Sequence, residues 1–94
     1  MTYSLRFNKQ ALKEWDKLDN DVRSQFKNKL HDRLDNPRVD SSRVTGASNC
    51  FKIKLRSVGY RLVYQIIENE VVVLVLAVGK RERNAVYKAA LRRY

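Results

Sequence analysis

Residues 50–65 read C-F-K-I-K-L-R-S-V-G-Y-R-L-V-Y-Q, two strand-like runs joined by Ser57, Val58 and Gly59. Phe51, Ile53 and Leu55 alternate with Lys52, Lys54 and Arg56. Successive strand side chains point to opposite faces, so the alternation predicts a hairpin arm with one apolar face on a core and one cationic face turned away. Adjacent cations on that face lie about 7 Å apart and repel by roughly 0.6 kcal/mol in water, or about 2.4 kcal/mol at an effective dielectric of 20. A row so cheaply kept fits either a solubilising sheet face or an anion site. The second arm runs from Tyr60 to Ile67, and its Tyr60 and Tyr64, two positions either side of Leu62, are expected in the core.

Beyond the hairpin, Glu68, Asn69 and Glu70 turn the chain into Val71 to Val78, an unbroken apolar run expected of a central strand buried on both faces. After Gly79 come Lys80, Arg81, Glu82 and Arg83, a basic knot well placed to meet a phosphate, and then A-V-Y-K-A-A-L-R-R-Y, a short terminal helix with Tyr87, Leu91 and Tyr94 along one side. Before the hairpin, residues 38–50 are polar and aperiodic and read as a connecting loop. Further upstream, Tyr3 to Phe7 alternates as a short strand and Asn8 offers a helix N-cap. Ala11, Leu12, Trp15 and Leu18 then form one apolar stripe, and Val22, Phe26, Leu30 and Leu34 form a second that Asn36 and Pro37 end. These patterns predict an α+β fold, with an N-terminal strand and a helical hairpin packed on a mainly antiparallel sheet and a short C-terminal helix. Lys13, Glu14, Asp16, Lys17 and Arg23 read as solvated helix surface, and His31 as a surface or structural residue.

At 94 residues the chain is long enough for one modest core, so a single domain over 1–94 is expected. It carries 20 Lys and Arg against 10 Asp and Glu, a net charge of +10, which favours a polyanionic partner. Residues 1–47 hold 10 basic and 7 acidic side chains, whereas residues 48–94 hold 10 and 3, so the partner is expected on the C-terminal half. The single cysteine, Cys50, allows no intrachain disulfide or cysteine-based zinc site and reads as a buried small side chain. The N-terminus lacks the apolar core of a secretory signal, and Val71 to Val78 is too short to span a bilayer, so no membrane association and a cytoplasmic location are expected. In the basic half the carboxylates are Glu68, Glu70 and Glu82, two in a turn and one between arginines, which suggests no metal site and no cofactor.

The run from Lys52 to Tyr64, followed by V-G-K-R-E-R at 78–83 and Val86-Tyr87, resembles the RelE toxin family. The early F-N-K-Q-A-L-K-E-W-D-K-L and the N-P-R after the second helix resemble it too, in order and spacing, so the likeness covers nearly the whole chain. The resemblance implies a RelE-like, microbial-ribonuclease-type fold and a bacterial type II toxin. Such a toxin enters the A site of the 30S ribosomal subunit, cuts the exposed mRNA codon, and is neutralised by a cognate RelB-like antitoxin. Operator DNA is met only indirectly, through the antitoxin complex. Matching positions carry over Lys52, Lys54, Arg61, Arg81 and Tyr87 as catalytic candidates, with Arg43, Arg56, Lys80 and Arg83 as RNA-binding candidates. One position departs from the pattern: Thr45 stands before Gly46 where the family has an arginine, so a phosphate contact is lost or shifted to Arg43. The alternative is a non-nucleolytic protein of the same fold, a ParE-like gyrase inhibitor or an RNA-binding domain, and retention of the five catalytic positions argues for the enzyme.

The residue chemistry constrains the mechanism. Acid and base catalysis is most efficient near pKa 7, whereas lysine starts near 10.4 and arginine above about 12. Clustering lowers the lysine values, because each charge disfavours the next. The cluster is therefore expected to act mainly by stabilising charge on an in-line phosphorane, with Lys52 or Lys54 helping to deprotonate the attacking ribose hydroxyl and Arg81 near the leaving oxygen. Tyr87 is expected to stack on or orient a base. With no metal site in view, the nucleophile is expected to be the 2′-hydroxyl of the RNA itself.

Overall fold

The computed structural model describes residues 2–94, which run β1 (Ser4–Phe7), α1 (Lys9–Asp16), α2 (Asn20–Asp35), β2 (Cys50–Leu55), β3 (Tyr60–Ile67), β4 (Val72–Lys80) and α3 (Ala85–Arg93). The strands form one sheet in the order β1-β4-β3-β2, in which β1 pairs parallel to β4 and the other two pairings are antiparallel. The apolar run becomes a central strand, as its lack of polar alternation requires. It begins one residue later than the pattern suggests, because Val71 adopts φ +55° and makes the left-handed turn into the strand. A bulge between Val63 and Tyr64 sets Leu76 outside the β3 register.

Helices α1 and α2 cover one face of this sheet. There Phe51, Ile53, Leu55, Leu62, Tyr64, Ile66, Val73, Val75 and Val78 meet Ala11, Trp15, Val22, Phe26 and Leu30. Asn8 starts α1 as expected, its side chain accepting from the Gln10 and Ala11 amides. Leu12 is a correction: it is exposed, because Ala11 and Trp15 fill the arc of this short helix that faces β4, and Leu12 lies about 100° round from Ala11. Arg23 is another, since it donates to the Trp15 and Asp16 carbonyls and so satisfies the C-terminal end of α1.

Helix α3 covers part of the opposite face, over Val44, Cys50, Val63, Leu76 and Ala77. It packs through Val86 and Ala90 and leaves Leu91 and Tyr94 exposed, so the apolar side expected from Tyr87, Leu91 and Tyr94 is not its buried side. Small side chains let the helix lie close to the sheet; a Cβ at Gly79 would sit 3.5 Å from Val86 Cγ2. Cys50 is buried as expected, and burial pushes its thiol up to about 11.

The parallel partner β1 ends opposite Val75, which leaves the upper edge of β4 unpaired. Glu14 and Arg93 close it. Glu14 Oε1 accepts from the Val78 amide at 3.2 Å, Arg93 Nη1 donates to the Leu76 carbonyl at 2.8 Å, and the two side chains pair at 2.9 and 3.0 Å. Edge groups left bare would each lack a partner. Glu14 is thus a structural group that ties α1, β4 and α3 together, and not the solvated surface charge that its neighbours in sequence suggest.

Candidate active site

The hairpin register assembles the cationic face. Lys54 stands opposite Arg61 across β2 and β3, and Arg61 stands opposite Gly79 across β3 and β4. Directly opposed residues have Cβ atoms about 4.5–5.5 Å apart, so the two cations are held together by backbone pairing. Gly59, at φ +72° with no heavy atom within 4 Å of the place a Cβ would take, makes the hairpin turn with its amide on the Leu55 carbonyl. Its own carbonyl accepts from the Arg81 amide at 2.7 Å. That bond fastens the turn to the chain leaving β4, and Lys54, Arg56, Arg61 and Arg81 line one small cleft as a result.

Crowding shows in the lysine. The Lys54 ammonium is held below the usual lysine range, first by the Lys52 charge, then by burial, and then by Arg61, Arg56 and Arg81. A like charge disfavours the protonated form, so the neutral amine is more available than on an isolated lysine.

Tyr87 reaches the same place from α3. Its ring centroid is 5.4 Å from the Arg61 guanidinium carbon and 5.8 Å from Lys52 Nζ, within cation–π range of both. Its hydroxyl is buried without a hydrogen-bond partner among the described residues. An orphaned buried hydroxyl costs about 1–3 kcal/mol and marks a place where a ligand or water is wanted. The ring lines a cavity of about 320 Å³ with Val44, Thr45, Lys52, Asn84 and Leu91. This largely apolar hollow suits a nucleobase, and Thr45 stands in its wall.

The other basic candidates divide. Arg56 lies with the cluster, as described. Arg43 bridges to Phe51 in backbone pairing, sits 5.2 Å over that ring and pairs with Asp40 at 3.4 Å, so its charge is partly engaged. Lys80 lines a different cavity, beside Glu14 and Glu82 at the β4 edge. Arg83 is exposed in the turn before α3, where it and Asn84 take φ +46° and +61°.

Pattern reading missed Arg33. From α2 it donates to the Tyr64 hydroxyl at 2.8 Å, the Lys52 carbonyl at 3.3 Å and Ser42 Oγ at 3.3 Å. The Tyr64 hydroxyl passes its own proton to the Pro37 carbonyl at 2.7 Å. Burial raises the phenol's pKa while Arg33 pulls it back. Arg33 therefore pins the strand that carries Lys52. Its only signal in sequence is a cation beside the apolar stripe of α2, which no period distinguishes from a surface charge.

No group of three or more His, Cys, Asp or Glu among the described residues is placed to hold a metal ion, and no described helix is long and apolar enough to cross a membrane.

Residues 5–85 match the family model described as the ParE toxin of type II toxin-antitoxin systems, parDE. Over 93 residues the chain is 54% identical to the mRNA interferase toxin RelE of Escherichia coli strain K12, covering 99% of this chain and 98% of the relative. The chain belongs to the RelE family. Its fold superposes on the free E. coli RelE (R81A/R83A) mutant with a TM-score of 0.91 at 52% identity, covering 99% and 98% of the two chains. It also matches the same mutant bound to an antitoxin RelBc peptide, with a TM-score of 0.84 at 51% identity over 100% and 99% of the chains. Both substitutions in that RelE mutant fall at positions that are arginine here, Arg81 and Arg83.

Proposed function

We propose that the protein is a cytoplasmic, ribosome-dependent mRNA endonuclease of a toxin–antitoxin pair, cutting the message in the ribosomal A site by attack of the RNA 2′-hydroxyl. The observation that carries this reading is the convergence of Lys52, Lys54, Arg61, Arg81 and the Tyr87 ring at one end of the sheet. Cations held by backbone register need no reorganisation as charge builds on the phosphorane, and such preorganisation supports rate more than binding. Lys54 is the better base of the two lysines, because its depressed pKa leaves more free amine to take the hydroxyl proton. Arg81, tied to the hairpin turn through its own amide, faces the leaving 5′-oxygen. Tyr87 and the cavity beside it hold the base and so fix the strand in line.

Without a residue titrating near neutrality, the chemistry depends on alignment, and the ribosome supplies that by holding the codon. Alignment of this kind is worth up to about 7–11 kcal/mol in favourable cases. A RelB-like antitoxin silences the toxin by covering the basic face or displacing α3, which carries Tyr87, and contact with operator DNA runs through that antitoxin complex.

The test is translation with purified ribosomes followed by mapping of message ends. New ends within the A-site codon, with a 2′,3′-cyclic phosphate or 3′-phosphate upstream and a 5′-hydroxyl downstream, are expected. A message carrying one 2′-deoxy sugar 5′ of the cut should resist at that position. Intact messages together with arrested DNA supercoiling would instead support a gyrase-directed toxin of the ParE kind.

A further inference from the structure

Lys52 has cavities on two sides, and the second has no part in the chemistry above. Arg33, Ser41, Ser42, Lys52, Lys54 and Arg56 line a hollow of about 350 Å³. Four cations and two hydroxyls converge there, and no carboxylate lines it among the described residues. Asp40, next to it in sequence, is paired with Arg43.

Arg33 gives this hollow the character of a built site. Three hydrogen bonds to neutral acceptors, the Tyr64 hydroxyl, the Lys52 carbonyl and Ser42 Oγ, hold its guanidinium in place. A guanidinium has five N–H donors, so part of the fork stays available, and none of it is spent on an acid among the described residues. Ser42 accepts from Arg33 and keeps its own O–H to donate. A cation already immobilised loses little entropy when a ligand arrives, and arginine forks match phosphate oxygens in geometry.

We propose that this cleft binds a phosphodiester of the message adjoining the scissile one, through Arg33, Ser42 and Arg56. The inference rests on the nuclease reading and deepens it. Lys52 and Lys54 belong to both the cleft and the catalytic cluster, so a phosphate seated here sets the register of its neighbour against Lys54, Arg61 and Arg81. Meanwhile the base on the far side of Lys52 enters the Tyr87 cavity. A phosphate of ribosomal RNA has the same chemistry, and the experiment separates the two sources.

Ribosomes are programmed with messages that carry one uncharged methylphosphonate linkage, walked over the positions next to the cut on either side. The ribose preceding that linkage is 2′-O-methylated so that the linkage itself stays intact, and a 2′-O-methyl phosphodiester message is the control. Arg33→Gln keeps amide donors for Tyr64 and the Lys52 carbonyl but removes the charge. One neutral linkage should lower the wild-type kcat/KM about tenfold or more, and Arg33→Gln should lose a similar factor on the control and then ignore that linkage. If Arg33→Gln fails to fold, Ser42→Ala and Arg56→Gln test the remaining walls in the same way. Wild type and variants losing equal factors at every linkage would overturn the site, as would a variant defect with a wild type blind to message charge, which points to ribosomal RNA or to strand positioning alone. Failure of the wild type to cut the unmodified message would sink the nuclease reading, and the site with it.

Discussion

The two faces of strand β2 are made of alternate residues of one six-residue run, and they do opposite things. Phe51, Ile53 and Leu55 are buried under α1 and α2 in a continuous apolar core. Lys52 and Lys54 remain half-exposed on the other face, where α3 covers the sheet only through Val86 and Ala90 and leaves the cationic end open. A period of two lets one strand store stability on one side and repulsion on the other. Stability and activity are therefore separable residue by residue, even between neighbours.

The sharpest way to break that separation is a pair of adjacent substitutions. Phe51→Ala opens a cavity beside Tyr64, whose ring lies 5.9 Å away, and is expected to lower unfolding free energy by about 3–5 kcal/mol. Lys52→Ala, one residue on, is expected to leave the urea midpoint unchanged or raise it slightly, because it removes a repulsive charge, while cleavage falls about 10²- to 10³-fold. Denaturation curves and ribosome cleavage rates on the same two proteins make the comparison. A Lys52→Ala protein as unstable as Phe51→Ala would show that the charged face also carries the fold.

A pH profile of the open face gives a smaller effect. If Lys54 accepts the hydroxyl proton, single-turnover cleavage should rise roughly tenfold per pH unit while the amine is mostly protonated. The rise should level off below the pH at which an ordinary lysine titrates, since Lys52, burial and the surrounding arginines hold Lys54 down. Arg61→Gln removes one of those charges, so the plateau should move to higher pH. An unchanged plateau in Arg61→Gln would assign the titration to another group.

How much of this was legible in sequence depends on how local the cause is. The hairpin, the central strand and α2 follow from periods of two and four, and Asn8 caps α1 because its side chain reaches amides two and three residues on. The Glu14–Arg93 closure of the β4 edge joins residues 79 apart, and the Arg33 bonds span 9 to 31 positions. No periodicity announces such pairs, so these charges looked like solvated surface. Helix α3 was misread for a related reason: its larger apolar residues suggested the buried side, but close approach to Gly79 selects the smaller Val86 and Ala90. The identity of the site residues came from resemblance rather than from pattern, because alternation alone leaves a row of lysines equally suited to solubility.

The smallest expected effect compares the two ends of β4, each of which adjoins a non-glycine residue in the left-handed region: Val71 at φ +55° before the strand and Arg83 at φ +46° after it. Such a conformation costs about 1–3 kcal/mol, more for a β-branched side chain, while glycine adopts it freely but returns about 0.5–1 kcal/mol as lost chain entropy. Val71→Gly should therefore raise stability by up to about 1 kcal/mol, read as a higher urea midpoint at constant slope, with no change in cleavage. Arg83→Gly should relieve a similar strain, yet it lies two residues from Arg81 in the turn that positions that side chain. There the added freedom should slow cleavage several-fold, since a misplacement of about 1 Å in an aligned site can cost a hundredfold in rate. Equal stability gains with equal, undiminished cleavage would mean that the strain beside the site is incidental. A loss of stability in Val71→Gly would mean that the valine side chain contributes more by packing than its backbone withholds.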